Sequence, residues 1–185
     1  IGAFAQEAHR ETATEGTPTH RPVQVFILSG QSNAVGCNDY KQYRKGQSPL
    51  ADAFMNQPGV LFWDAKTHAW TTLRVGASDG ASTYAFGPEI GFAHALTQTG
   101  CTDSIAIIKC AVGGTGIARG VDYNDYVPEV KGFDDGGWNW HPPTDGREAG
   151  HLYQQLIQTV SNALSSLERD GRRYDVAAFL WMQGE

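Results

Sequence analysis

The 185-residue chain has the length of one α/β domain and is too short for two well-filled ones. Lys and Arg number 14 and Asp and Glu number 20, which gives a formal net charge of −6. This balance argues against nucleic acids and anionic membranes as partners, because both require a concentrated basic surface. The hydrophobic fraction of 41% is that of a folded globular protein, and no apolar run approaches the roughly 20 residues of a membrane-spanning helix.

Residues 1–22 show no hydrophobic period and end at Pro22, so we expect a flexible leader before a domain that starts near Val23. Small residues at Ala3 and Ala5, followed by a polar stretch, also fit the end of a secretory signal peptide. The two interpretations remain open. The second one predicts a secreted or periplasmic protein.

Three apolar runs of strand length predict the centre of a β-sheet. They cover residues 23–29, 104–110 and 174–182, and each is nearly continuous in apolar side chains. Such runs are typical of parallel strands that are buried on both faces. We therefore expect interior parallel strands, with ligands bound beyond their carboxyl ends.

Helical segments separate these strands. Pro88 in the first turn and Gly100 as a stop predict a helix that starts at residue 87, and an apolar stripe predicts a second helix from about 148 to 169. Residues 60–73 predict a hairpin that turns at 65–67. Strands that alternate with helices predict an α/β fold with a parallel sheet covered on both faces.

The three cysteines, Cys37, Cys101 and Cys110, are too few and too scattered for a disulfide framework or a zinc cluster. Cys101 and Cys110 bracket a predicted strand, which separates them by roughly 30 Å and excludes a disulfide between them. A disulfide between Cys37 and Cys110 remains open.

A short unusual motif follows each of the three strands. After the first, the segment GQSN (residues 30–33) carries Ser32 into a turn next to Gly30 at the sheet edge. A serine in such a turn can act as a nucleophile, and its own backbone N–H can face a reacting oxygen. The alternative is that Ser32 only caps the next helix.

The second and third motifs offer hydrogen-bond donors at the same edge. Gly113 and Gly114 can bring backbone N–H groups close to a ligand, as in an oxyanion hole. A phosphate-binding turn lacks its lysine here, and a plain tight turn remains open. After the third strand, Gln183 supplies an amide and Glu185 supplies a carboxylate.

Taken together, the three motifs resemble those of the SGNH hydrolase superfamily. More narrowly, they are similar to its sialate O-acetylesterase-like branch, which includes the acetylxylan esterases of carbohydrate esterase family 6, and the resemblance covers residues 23–185. It implies a three-layer α/β/α sandwich with a central parallel sheet, the flavodoxin-like fold of this superfamily. It also implies serine-dependent removal of acetyl groups from a polysaccharide such as acetylated xylan, without a metal or another cofactor.

The resemblance assigns roles by position. Ser32 matches the nucleophile and one oxyanion donor, Gly113 or Gly114 matches a second donor, and Gln183 takes the place of an asparagine donor. Glu185 lies where some members place the carboxylate that orients the catalytic histidine. Other members use an Asp three residues before that histidine, in a C-terminal Asp-x-x-His segment.

No Asp-x-x-His segment is present in the chain, so we expect the domain at 23–185 to need a further C-terminal segment that carries the base. Of the histidines present, His141 lies in a loop that could face Ser32 and is the internal alternative. A sialate O-acetylesterase, or another SGNH acyl hydrolase such as a pectin-type deacetylase, is the alternative enzyme. A noncatalytic carbohydrate-binding relic is the alternative outside enzymes.

A long aromatic loop after the glycine motif supplies candidates for substrate binding. Tyr123, Trp138 and Trp140 could stack on sugar rings at the mouth of the site, or pack the loop against itself. Gln31 and Asn33 flank the nucleophile and are the other candidates for contacts with an acetylated carbohydrate.

Overall fold

The structure is a computed structural model that describes residues 21–36, 38–39, 52–77, 85–100, 104–117, 139–144, 146 and 148–184. Several sequence predictions lie outside these ranges. They concern the leader up to residue 20, the thiols Cys37 and Cys101, and the candidate site residues Tyr123, Trp138 and Glu185.

The described part contains seven strands and four helices. The strands are β1 (Val23–Gly30), β2 (Asn38–Asp39), β3 (Asn56–Asp64), β4 (Ala69–Arg74), β5 (Ala85–Phe86), β6 (Ile105–Ala111) and β7 (Tyr174–Met182). The helices are α1 (Ser32–Val35), α2 (Asp52–Met55), α3 (Pro88–Thr99) and α4 (His151–Arg169). The predicted strands, helices and hairpin are confirmed, with shifts of a few residues at their ends.

A five-stranded sheet with the order β4-β3-β6-β1-β7 forms the centre of the molecule. The pairs β3–β6, β6–β1 and β1–β7 are parallel. β4 runs antiparallel to β3, because a tight turn joins the two strands as a hairpin. The predicted α/β fold is therefore confirmed, with a sheet that is mostly rather than wholly parallel.

Helices flank both faces of this sheet. On one face, Leu152 and Ala163 of α4 pack with Val25 of β1 and Ile108 of β6. On the other face, Ile90 and Ala93 of α3 pack with residues of β3 and β6 such as Val60, Phe62 and Ile107. Side chains alternate along each strand, so β1 and β6 supply apolar groups to both cores, as their continuous apolar sequences predict.

The position of β7 corrects a sequence prediction. β7 was expected in the interior of the sheet, but it forms one edge of the described sheet, and Val176 and Phe179 are 50% and 52% exposed. A groove of about 310 Å³ also opens on the α3 side, lined by residues that include Phe26, Leu180 and Met182. An apolar sequence indicates that a strand is suited to apolar surroundings, but it does not show which element packs beside the strand.

Close backbone packing fixes the end of β1. Gly30 has a φ of +135°, a conformation that side chains rarely allow, and a Cβ at this position would overlap the Met182 carbonyl oxygen of β7. The Gly30 carbonyl accepts a hydrogen bond from the Val112 N–H (3.0 Å), and the Met182 carbonyl accepts one from the Gln31 N–H (3.0 Å). The chain therefore leaves β1 wedged between the ends of β6 and β7.

Replacement of Gly30 by alanine should destabilise the protein, because the new methyl group needs both a strained φ and space that Met182 occupies. We expect the free energy of unfolding, measured in urea, to fall by about 2–4 kcal/mol. Gly91→Ala is the matched control, since Gly91 is exposed on α3 with open space around it, and it should stabilise the protein by about 0.5–1 kcal/mol. Similar effects of the two substitutions would contradict this account of Gly30.

Candidate active site

Ser32 begins α1 directly after β1, and Gln31 is the N-cap of that helix. The Gln31 Oε1 atom accepts hydrogen bonds from the Ser32 N–H (2.7 Å) and from the Ser32 hydroxyl (2.6 Å). The cap therefore belongs to Gln31, and the alternative that Ser32 serves only as a helix cap is wrong. Gln31 itself is 5% exposed, whereas Asn33 is exposed beside it.

The glycine motif lies against the serine. A Cβ built on Gly113 would stand 3.5 Å from the Ser32 Cβ, which places the Gly113 backbone in contact range of the Ser32 side chain. Gly114 has a φ of +69° and open space around it. Of the two glycines considered from the sequence, Gly113 is the one that packs against Ser32.

Thr115 joins the glycine motif to its surroundings. Its carbonyl accepts a hydrogen bond from the Gln183 Nε2 atom (2.6 Å). Its hydroxyl donates to the Val112 carbonyl (2.7 Å) and accepts from the Trp140 Nε1 atom (2.8 Å). Sequence analysis missed this role of Thr115, although its place directly after the paired glycines was a signal. The structure thus brings Gln183 to the same loop as Gly113.

The position of Trp140 corrects the prediction that it stacks on sugar rings. Trp140 is 3% exposed, and its ring meets that of Trp181 edge to face with centroids 5.3 Å apart. The indole N–H donates to Thr115. Both the ring and its polar N–H therefore make contacts inside the protein rather than with solvent. The alternative that the loop aromatics pack the loop holds for Trp140.

His141, the internal candidate for the base, uses Nδ1 to donate a hydrogen bond to the Pro142 carbonyl (2.6 Å). Its backbone N–H donates to the Oδ1 atom of Asn139 (3.1 Å). Within the described ranges, Ser32 Oγ bonds to Gln31, and no histidine there hydrogen-bonds to it. The structure therefore does not pair His141 with Ser32.

A buried ion pair that sequence analysis missed lies behind the serine helix. The Lys109 ammonium is 2.7 Å from the Glu89 Oε2 atom, and the two side chains are 6% and 0% exposed. Lys109 also donates to the Val35 carbonyl at the end of α1 (2.6 Å). A lysine inside an otherwise apolar strand was the available signal.

Three further observations concern Cys110, metal ligands and membrane-spanning helices. Cys110 is buried in β6, and the considered bridge to Cys37 involves a residue outside the described ranges. In the ranges that the structure describes, no group of three or more His, Cys, Asp or Glu could hold a metal ion. No helix in those ranges is both long enough and apolar enough to span a bilayer.

Trp140→Ala should act through the fold, because it empties a core site and removes a bond to Thr115. We expect the free energy of unfolding to fall by about 3–5 kcal/mol, as for other buried aromatics. Phe179→Ala, which truncates a half-exposed ring, is the control and should cost about 1 kcal/mol. Denaturant titration of both variants tests this, and equal losses would contradict the buried role of Trp140.

Comparisons with known proteins agree with this architecture. A family model described as carbohydrate esterase, sialic acid-specific acetylesterase (SASA) matches residues 22–185. A solved structure of a protein from Arabidopsis thaliana is 22% identical, with a TM-score of 0.53, over 89% of this chain and 58% of that one. NanS is 16% identical, with a TM-score of 0.53, over 89% and 55%.

The two structural relatives show the shared fold, and the chain spans little more than half of the length of each. A comparison with curated protein sequences gave no significant match. The family is therefore shown by the family model, which matches nearly the whole chain from the start of β1 onward. The chain belongs to the SASA family of carbohydrate esterases.

Proposed function

We propose that the protein is a serine esterase that removes O-acetyl groups from a carbohydrate. The observation that carries this proposal is the Ser32 hydroxyl at the carboxyl end of β1, with the Gly113 backbone against it, in a member of a carbohydrate esterase family. A nucleophile beside a backbone donor is the arrangement that acyl transfer requires.

In the proposed reaction, Ser32 Oγ attacks the acetyl carbonyl carbon while a histidine accepts its proton. The N–H groups of Ser32 and Gly113 and the amide of Gln183 bind the oxyanion of the tetrahedral intermediate. The sugar oxygen then leaves and takes the proton from the histidinium, which gives acetyl-Ser32. Water, deprotonated by the same histidine, attacks this ester, and acetate and the original hydroxyl are formed.

The hydrogen bonds of the Gln31 side chain must change when the oxyanion forms. Its Oε1 atom accepts from the same Ser32 N–H that the oxyanion needs, and it also accepts from the nucleophilic hydroxyl. The substrate oxygen must therefore share this N–H or replace the Gln31 side chain. For this reason we propose that Gln31 meets the substrate directly, while exposed Asn33 is the candidate for contacts with the sugar.

The Gln183 amide nitrogen carries two hydrogens. One is donated to the Thr115 carbonyl, which orients the amide beside the glycine loop. We propose that the Gln183 amide, oriented in this way, is the third oxyanion donor, together with Ser32 and Gly113.

For the base, we propose a histidine on a segment beyond these 185 residues, in the Asp-x-x-His arrangement that the family resemblance implies. One observation supports it: Ser32 Oγ bonds to Gln31, and no histidine in the described ranges hydrogen-bonds to Ser32. Glu185 is the alternative partner that would orient this histidine.

The description of the matched family names sialic acid, so an O-acetylated sialic acid is our first candidate substrate. Acetylated xylan, which the resemblance to carbohydrate esterase family 6 favours, is the second. We also propose a secreted or periplasmic location for the protein.

Ser32→Ala should lower the turnover of p-nitrophenyl acetate by the full-length protein about 10⁴-fold or more, because the acyl-enzyme cannot form. Ser29→Ala is the matched control. It lies on the same strand, and its buried hydroxyl has no hydrogen-bond partner within the described ranges, so turnover should be unchanged. A wild-type rate no higher than that of Ser32→Ala would favour the noncatalytic relic.

A panel of natural esters identifies the sugar. Acetate release is compared as kcat/KM on O-acetyl sialic acid, acetylated xylan and acetylated mannan. We expect the highest value on O-acetyl sialic acid. A higher value on acetylated xylan would make the protein an acetylxylan esterase.

Gln183→Ala should leave Ser32 reactive but lower kcat by about 10²-fold or more, because one oxyanion donor is lost. Gln57→Ala is the matched control, since the Gln57 Nε2 atom also donates to a backbone carbonyl, that of Ile90 (2.9 Å), near the amino end of β3. This variant should be less stable but should keep its kcat. An unchanged kcat in Gln183→Ala would remove Gln183 from the oxyanion hole.

A further inference from the structure

The Lys109–Glu89 ion pair connects three segments that meet behind Ser32. Lys109 lies in β6, Glu89 lies in the first turn of α3, and the Val35 carbonyl that Lys109 binds closes α1. Glu89 uses its other oxygen to accept the Gly87 N–H (2.9 Å). Both charged groups are therefore held in fixed positions in the interior.

The bond to Val35 bears directly on the nucleophile. α1 has only four residues, with Ser32 first and Val35 last. A helix this short has little stability of its own, so its position depends on contacts with the rest of the protein. Lys109 fixes the last carbonyl of α1, while Gln31 caps the first turn.

The same region packs too closely to shift without a clash. Gly36, the C-cap of α1, lies against Gly87, and a Cβ on Gly36 would overlap the Gly87 backbone. The Gly87 N–H in turn donates to Glu89. Movement of the Lys109–Glu89 pair would therefore displace the end of α1.

Lys109 also lies close to the oxyanion loop along the chain. Gly113 follows it by four residues, through the end of β6 and Val112. The Val112 N–H bonds to the Gly30 carbonyl (3.0 Å), just before the serine turn. Lys109 is thus placed to set the distance between the nucleophile on α1 and the donor that follows β6.

Stability alone gives a weak reason for this arrangement. A buried ion pair generally stabilises a fold no better than well-packed apolar side chains of similar size. An apolar residue at position 109 would match the rest of β6, but it could not bind the Val35 carbonyl. The bond to the nucleophile helix requires a donor at position 109, which the lysine supplies.

We propose that Lys109, held by Glu89, is a positioning residue that sets the place of Ser32 relative to Gly113. The proposal rests on the proposed function, because it requires Ser32 to be the nucleophile. It assigns to the ion pair an effect on the rate of acylation rather than on substrate affinity.

The double variant Lys109→Met/Glu89→Gln tests this proposal, since it removes the bond to Val35 and neutralises both members of the ion pair together. We expect kcat for p-nitrophenyl acetate, and the rate at which a fluorophosphonate probe labels Ser32, to fall by roughly 10²-fold. KM should stay within about twofold, because the substrate pocket is not altered. Lys109→Arg, which retains charge and donors, should show a smaller loss.

Leu167→Ala is the matched control for stability. Leu167 is fully buried near the end of α4, and its carbonyl accepts from the Arg172 N–H just before β7, at the other end of that strand from Gln183. Its truncation lowers stability by creating a cavity. At a temperature where circular dichroism shows every variant folded, this control should keep wild-type kcat and labelling.

The results separate the two proposals. An unchanged labelling rate in the double variant would overturn the positioning role. A loss of labelling rate in Lys109→Arg as large as that in the double variant would also overturn it. An equal loss in Leu167→Ala would also overturn it, since general destabilisation would then explain the effect. Wild-type labelling no faster than that of Ser32→Ala would reject the proposed function itself.

Discussion

The pairing of β1 with β6 on one side and β7 on the other is the constraint on which the candidate site depends. In this ladder Gly30 stands opposite Ala111 and Met182, so the three strands end at the same level of the sheet. The residues that follow, which include Ser32, Gly113 and Gln183, must therefore leave from neighbouring points. Parallel pairing alone brings together groups that are far apart in the sequence.

Side chains from outside α1 also fix the position of Ser32. A four-residue helix does not hold a serine in place by its own hydrogen bonds. Gln31 binds its first turn and Lys109 binds its last carbonyl, and both side chains are nearly buried. The location of the serine is consequently determined by the core of the domain, and a substitution well below the surface can move it.

The central strands and the convergence of the three motifs could be predicted from the sequence, because continuous apolar runs and glycine-rich turns are local signals. The edge position of β7 could not, since its apolar run is the same whether a strand lies beside it or not. Trp140 shows a second limit: a tryptophan in a polar loop has the same local sequence whether it faces solvent or bonds inward to Thr115. The Lys109–Glu89 pair joins residues 20 positions apart, and only tertiary contact reveals it.

The hydrogen bonds of Thr115 have a consequence for how an oxyanion would be received. One residue anchors the glycine loop to Gln183, to Val112 and to the buried indole of Trp140. A loop restrained in this way has little conformational freedom left to lose when a ligand arrives. In the proposed reaction, the donors on this side of the site, Gly113 and Gln183, are therefore held in place before the substrate binds, which reduces the reorganisation required as negative charge develops.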